Sequence, residues 1–483
     1  MVSEKNLHDV HTINSSSHSA LEKNYPAPDG LRAFVVLFFC VLINVATTGI
    51  ANSFPVYQTY YLEKFGEGSA SSIGWIGTLL LAAMLFFSII TAPLIAWIGF
   101  KKVTFIGGLI GGGALVIASF CSQIYQLALT NGLLFGFGTA FPFLCAVSMV
   151  SIWFDKYRGL GMGLINGGGG IGGIILTPII QKLIDSYSIQ TSLRAMGGFV
   201  FVAIAISSFF MKRRTPVSEK QVVFDKKATY DPFVFLVSIS TLFGDIAYTI
   251  PLYYLPTLIL DRGGSKSLST TSVVLSNVGS ITGSIFMGVM ADRIGEMNII
   301  TIADFLVVIL VPALWLGTSS PGALAGLSFV YGFLSAAFLS IVPSILGRHY
   351  PDHRVPGVIS VMFVYVAVGL VIGGPLAGFV YDKSVAMGTY VPIVLMCALG
   401  YLVSGILLIV AQIYLRMKNR GKQPNTPIPK ARAIGATLAA SSGVSSDDIV
   451  SHAFWSNYSM FDSYYRLSRD STSNLTESIL PLE

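Results

Sequence analysis

Not one Asp, Glu, Lys or Arg occurs from Val103 to Phe154, nor from Phe305 to Gly347. A membrane-crossing helix needs about 20 apolar residues, so each stretch has room for two crossings and a turn. In lipid every backbone polar group must be bonded within its own structure, which leaves helices or closed barrels. Runs of this length favour helices. The whole chain is consistent with that reading, since 11% of it is charged and 53% hydrophobic, against about 25% charged in a soluble domain. Glycine is abundant at 49 of 483 residues, which suits helices packed closely through small side chains.

Apolar runs bounded by Gly, Pro and charged clusters predict twelve spans, near 33–57, 73–97, 103–122, 127–153, 159–181, 194–211, 232–258, 270–291, 299–318, 322–347, 356–380 and 390–415. The loops after spans 2, 4, 6, 8 and 10 hold more than twice as many Lys and Arg as the loops opposite. By the positive-inside rule that side is cytosolic, and so are both tails. The expected layout is an N-tail (1–31), a six-helix half (32–211), a central loop (212–231), a second six-helix half (232–415) and a C-tail (416–483). The formal charge of +6 then reports orientation and implies no nucleic-acid partner. The first 30 residues lack a secretory or transit pattern. The C-tail starts basic and turns rich in Ser, Asp and Tyr, a disordered composition. Its Tyr458 to Phe461 and Tyr464 to Leu467 stretches look like sorting signals, and its sequons at Asn457 and Asn474 have no role on the cytosolic side.

The halves align at an offset of 196 residues, the separation of Gly49 from Asp245. The segment Gly49 to Tyr57 (GIANSFPVY) then matches Asp245 to Tyr253 (DIAYTIPLY). At the same offset Gly99 meets Gly295, Gly136-Phe137 meets Gly332-Phe333, Arg158 meets Arg354 and Gly161 meets Gly357. Six spans per half keep both halves in one orientation, the parallel-repeat arrangement. The expected fold is therefore an all-α membrane protein of twelve transmembrane helices in two six-helix halves, with a solute site between them.

After span 8 stands Gly288-Val-Met-Ala-Asp292-Arg293-Ile-Gly295, which resembles the Gly-x-x-x-Asp-Arg-x-Gly loop of the major facilitator superfamily. The first-half counterpart keeps Gly99 but has Ala96 and Trp97 in place of the Asp and Arg. Pro28-Asp29-Gly30, and Trp153-Phe154-Asp155-Lys156-Tyr157-Arg158 leading into a Gly-rich span 5, are similar to the monocarboxylate porter family within that superfamily. The likeness covers about residues 28–415 and implies the major facilitator fold, alternating access and proton symport of a monocarboxylate. It also implies that Asp292, Arg293 and Gly295 serve as gating-loop residues, while Arg158 and Arg354, at equivalent loops, are expected to pair with Asp155 and Asp352 or with lipid phosphates in a gating or anchoring role. The family's Lys of span 1 and Asp-x-x-x-Arg of span 8 fall on Asn52, Ser280 and Ser284 here, so the fixed cation for a carboxylate is missing.

Asp245 is the clearest deep charge, thirteen residues or about 20 Å from the start of span 7. A charge at that depth costs at least about 2.5–3.5 kcal/mol. It reads either as the proton-coupling acid or as a structural acid bonded to neighbouring helices. Asp304, near the start of span 9, reads as a solvated acid favoured by the helix dipole. Asn52 and Tyr248 are repeat partners, each one turn from a proline, and both are candidates for the cavity wall. Asn44, Asn166, Asn277, Tyr331 and Tyr365 also place polar groups inside spans, either toward a solute or toward other helices. Of these, Asn166, Asn277, Tyr331 and Tyr365 join Asn52 and Tyr248 as substrate-cavity candidates.

The Gly167–Gly170 run follows a helix and so lacks the context of a nucleotide loop. His8, His11, His349 and His353 lack the neighbours of a metal site, and Cys40, Cys121, Cys145 and Cys397 lie in or beside apolar runs. No cofactor, metal or enzymatic nucleophile is expected. The expected function is secondary active transport of a small organic solute, first as a monocarboxylate-type proton symporter. The alternatives are a carrier of a larger neutral or aromatic solute such as riboflavin, and a non-transporting sensor on the same fold. A monomer in the plasma membrane is expected, with a vacuolar or other internal membrane as the alternative.

Overall fold

The computed structural model describes residues 28–65, 70–214 and 231–420. The readings of His8, His11, most of the central loop, the C-tail signals and the sequons lie outside the described residues. Among the described residues eleven helices are long and apolar enough to cross a membrane, and the pair Ser72–Phe86 and Ser88–Ile98, bent by 41°, supplies a twelfth. The chain is thus a multi-pass integral membrane protein. Span 1 is Leu31–Asn52 continued by Phe54–Phe65, span 2 is Ala70–Phe86 with Ser88–Ile98, and span 3 is Phe100–Ala118. Span 4 joins Ile124–Leu127, a π-helical turn at Ala128–Leu134 and Phe135–Trp153. Spans 5 and 6 are Arg158–Ser186 and Ile189–Ser208. Spans 7 to 12 are Pro232–Asp261, Lys266–Ile294, Glu296–Gly317, Pro321–His349, Val355–Ala386 and Val391–Arg420. Each charge-free stretch holds two spans or nearly so.

The repeat recurs in the backbone. Gly99 (φ 83°) and Gly295 (φ 103°) both turn the chain between the second and third span of their half, in a region that disfavours any side chain. Gly99 N donates to Ile95 O at 3.0 Å and Gly295 N to Ala291 O at 2.9 Å, and those acceptors are themselves repeat partners. Gly136 lies against the Leu80 carbonyl and Gly332 against the Ser276 carbonyl, again at the same offset.

Span 1 breaks at Ser53, just before Pro55. Ser53 Oγ donates to the Gly49 carbonyl at 2.9 Å and accepts from Thr177 Oγ1 at 3.1 Å. The Gly-rich face of span 5 packs there, with Gly172 so close that a Cβ on Gly49 would sit 2.8 Å from its Cα. The other face of span 5 meets Ser284 and Gly288 of span 8, while span 2 packs on span 11. These contacts join the halves, and the described residues up to Tyr414 form one compact unit. Of the chain from Leu415 onward, the last residues of span 12 are described.

Candidate functional site

A cavity enclosing about 780 Å³, part of it open, lies between the halves. Its wall draws on spans 1, 2, 4 and 5 of the first half and spans 7, 10 and 11 of the second. Most of it is apolar: Leu81, Met84, Val147, Ile165 and Val366 contribute aliphatic and thioether surface, and Phe143 and Phe363 meet across the halves with ring centroids 5.2 Å apart. The polar groups in the wall are Asn44, Thr48, Asn166, Asp245, Tyr248 and Ser340. Asp245 is the one charged side chain in it, and no Lys, Arg or His lines it.

Asp245 and two of the six cavity candidates, Asn166 and Tyr248, are in this wall. The other four candidates are not. Asn52 is exposed and donates to the Gly169 carbonyl at 3.2 Å, so it ties span 1 to span 5 outside the cavity wall. Asn277 is exposed on span 8. Tyr331 is buried inside the second half, where its hydroxyl donates to the Tyr248 carbonyl at 2.7 Å and lies 3.0 Å from Tyr401 Oη. Tyr365 packs edge-on against Phe235 instead. A polar residue within a span satisfies a neighbouring helix as readily as it faces a solute, and sequence position alone does not separate the two.

Asp304 also departs from expectation. It is only 2% exposed, so water does not bathe it. Its Oδ2 accepts from Ser404 Oγ at 2.8 Å, and Ser404 Oγ lies 3.4 Å from Ser240 Oγ. This acid links spans 7, 9 and 12 within the second half, away from the cavity.

The sequence left Asn44 open between a solute and other helices, and the structure puts it in the cavity wall. Asn44 is 2% exposed and Asp245 3%. Asn44 Oδ1 accepts from Thr48 Oγ1 at 2.8 Å, one turn on. Asn44 Nδ2 and Asp245 Oδ2 are buried without a hydrogen-bond partner. The i, i+4 spacing of Asn44 and Thr48 was the available signal. Phe143 and Phe363 gave none, because one phenylalanine in an apolar span looks like another.

Hydrogen bonds between the halves gather toward the face that carries Asp29, Asp155, Lys212 and Asp292, called here the tail face. Asp292 receives Gly159 N–H on Oδ1 at 2.8 Å and Leu160 N–H on Oδ2 at 2.9 Å. These are amides of the first turn of span 5, where backbone donors lack helical partners and the helix dipole favours an anion. The opposite latch is vacant: Ala96 stands at the repeat position of Asp292, and Trp97 beside it is 81% exposed. Ser88 Oγ adds a longer bond to the Ser360 carbonyl at 3.4 Å. Arg293 is exposed. Arg158 is buried, with Nε donating to the Phe154 carbonyl at 3.0 Å and Nη2 4.0 Å from Asp155. Arg354 is half-buried at the start of span 11, its N–H on the Pro351 carbonyl at 2.8 Å. Burial pushes the Asp352 carboxyl up from its ordinary range, and Arg214, Arg213 and Arg158 pull it back. Cations at the start of span 5 and just after span 6 thus act electrostatically on the loop before span 11.

The two stretches behind the monocarboxylate-porter resemblance meet each other. Asp29 (φ 59°) accepts from the amides of Asp155, Lys156 and Tyr157, at 3.0 Å for Lys156, and its own N–H donates to the Trp153 carbonyl at 3.2 Å. An aspartate before span 1 therefore organises the turn that leads into span 5.

Comparison with known proteins gives a consistent result. The model of the Major Facilitator Superfamily matches residues 37–316 and 235–461. The chain is 33% identical over 374 residues to the MFS-type transporter pynF of Aspergillus niger, covering 76% of this chain and 85% of that protein. It is 26% identical over 352 residues to the agnestins efflux protein AgnL12 of Paecilomyces divaricatus, with 72% and 80% covered. The fold is similar to that of the transporter FucP in its outward conformation, at a TM-score of 0.61 and 16% identity, covering 78% of this chain and 98% of FucP.

Proposed function

Because the chain belongs to the Major Facilitator Superfamily, and is a membrane transporter of that type rather than an enzyme, we propose that it carries a neutral, ring-bearing organic solute in exchange for a proton held by Asp245. The observation that carries this reading is the cavity wall: aromatic and aliphatic surface, several neutral polar groups, one carboxyl and no cation. A carboxylate substrate would lose its hydration and meet no positive partner, a cost that pockets for anions avoid by supplying Arg or Lys.

An ionised Asp245 in this setting needs a partner, and a proton or a donor on the solute can each supply one. Competition between the two for one carboxyl gives exchange, in place of the symport expected from the resemblance. The bonds across the tail face favour closure on that side, and the Lys and Arg distribution supports a cytosolic side there, which supports a cavity serving the outer face in this arrangement. Export across the plasma membrane is the direction that accords with a relative named as an efflux protein.

The monocarboxylate reading retains one specific support, the contact of Asp29 with the turn before span 5. A competition screen in a host lacking its own transporters separates the two. Neutral aromatic solutes should compete with one another for flux, and lactate-sized carboxylates should not. Inhibition by the carboxylates alone would restore the monocarboxylate reading, and a chain that moves no solute would be a sensor.

A further inference from the structure

The polar groups of the cavity wall differ in what they leave free for a solute. Ser340 Oγ donates to the Ala336 carbonyl at 2.7 Å, and Thr48 Oγ1 to Asn44 Oδ1 at 2.8 Å. Asn44 Nδ2 and Asp245 Oδ2 are buried out of a solute's reach. Asn166 on span 5 and Tyr248 on span 7 are half-buried in the wall, and neither side chain makes a hydrogen bond to another described residue. Met162, Ile165 and Asn166, at i, i+3 and i+4, form one face of span 5, and all three line the cavity. The backbone there is held on both sides. In the next turn Gly169 packs so closely on span 1 that a Cβ would sit 2.8 Å from Thr48 Cγ2, and Gly170 packs on Ile281 of span 8. A recognition group on a fixed element keeps its direction.

The two free groups select differently. Tyr248 offers one rotatable hydroxyl, which bonds to almost any polar group, whereas Asn166 offers an N–H donor and a carbonyl acceptor side by side in one plane. A single solute group satisfies both only if it carries an acceptor beside a donor along one edge. A cis-amide held in a ring has that edge. A carboxylate does not, because one of its oxygens would face Asn166 Oδ1. We infer that Asn166 pairs edge to edge with a cyclic amide of the solute, Nδ2–H donating to the solute carbonyl and Oδ1 accepting from the solute N–H. This rests on the neutral-solute reading above and narrows it to a class, lactams and cyclic imides on a flat apolar frame. The frame lies against Met162, Ile165, Phe143 and Phe363 of the same wall. A site built to bond a particular group discriminates strongly against the analogue lacking it, whereas apolar contact alone discriminates weakly.

The test is calorimetric binding of three bicyclic probes to the purified full chain in nanodiscs. In 2-quinolone the N–H and carbonyl are adjacent, in 1-methyl-2-quinolone the donor is blocked, and in the isomer 4-quinolone the two groups lie across the ring from each other. The first should bind at least about tenfold more tightly than the other two, since each of those leaves part of the Asn166 edge unpaired. Asn166→Leu should lower 2-quinolone to the affinity of the other probes, and Asn166→Ser, smaller and still polar, should do the same. The preference should survive Tyr248→Phe. Equal binding of the three probes by the natural protein overturns the lactam pairing and leaves the neutral-solute reading standing. A preference that persists in both Asn166 variants, or is lost in Tyr248→Phe instead, overturns the assignment to Asn166. Binding of none of the three overturns the pairing, and lactate binding in their place overturns the neutral-solute reading as well.

Discussion

Replacing Asp292 by Ala should open the tail face. The carboxylate takes two N–H bonds, at 2.8 and 2.9 Å, from the first turn of span 5. A bond to a charged group contributes about 1.5–3 kcal/mol, and a helix start adds about 0.3–1 kcal/mol for a nearby anion. Water recovers part of this when the face opens, because the freed amides are then solvated. A net loss of about 2–4 kcal/mol corresponds to a roughly 30- to 700-fold shift toward the open form. A protein populated 99:1 in favour of closure would move to between about 3:1 closed and 7:1 open. The first half has Ala96 at the equivalent position, so no second carboxylate latch of this kind compensates. Electron-electron distances between spin labels at Lys102→Cys and Pro351→Cys, exposed positions in opposite halves, read the change directly. Cys121, the half-buried cysteine, would be replaced first, while Cys40, Cys145 and Cys397 are buried. Asp292→Ala should add a longer-distance population, and Arg293→Ala, on an exposed neighbour, should not. An unchanged distribution in Asp292→Ala would refute the latch.

Two further outcomes follow from single contacts. Asp29→Ala removes the acceptor for the amides of Asp155, Lys156 and Tyr157. It should cost about 0.5–2 kcal/mol, as loss of a helix cap does, and hydrogen exchange at 155–160 should accelerate, whereas unchanged protection there would remove Asp29 from the turn. Gly369→Ala puts a methyl 2.9 Å from the Leu242 carbonyl and 3.2 Å from Asp245 Cβ. Transport should fall several-fold with surface expression maintained, and wild-type flux would mean that the Asp245 pocket tolerates crowding.

Much of the fold was legible because lipid makes charge and glycine informative. Charge-free runs located the spans, and the recurrence of Gly99 and Gly295 revealed a duplication that the backbone repeats in its dihedral angles and hydrogen bonds. Asp245 was legible as a lone acid at depth. Asn52, Asn277, Tyr331 and Tyr365 look equally functional in sequence, yet none lines the cavity, because a span has no periodic contrast between lipid, helix and cavity faces when nearly every residue is apolar. Asp304 was misjudged for a related reason: distance along the helix says how deep a residue sits and nothing about which face it occupies. Its partner Ser404 lies one hundred residues on, beyond any local pattern. The aromatic pair Phe143 and Phe363 was illegible in principle, since its rings belong to opposite halves, far apart in the chain.

The central claim is that Asp245, the single charged group in an apolar cavity, exchanges a proton for the solute. The direct measurement is lumenal pH in proteoliposomes loaded with a transported aromatic solute and diluted into solute-free buffer. Solute leaving the lumen should acidify it as protons enter, with a rate that rises as the external pH falls. Asp245→Asn should still bind solute and equilibrate it down its gradient, with no pH change and no pH dependence. Coupling that persists in Asp245→Asn, or solute efflux by the natural protein without proton entry, would contradict the account.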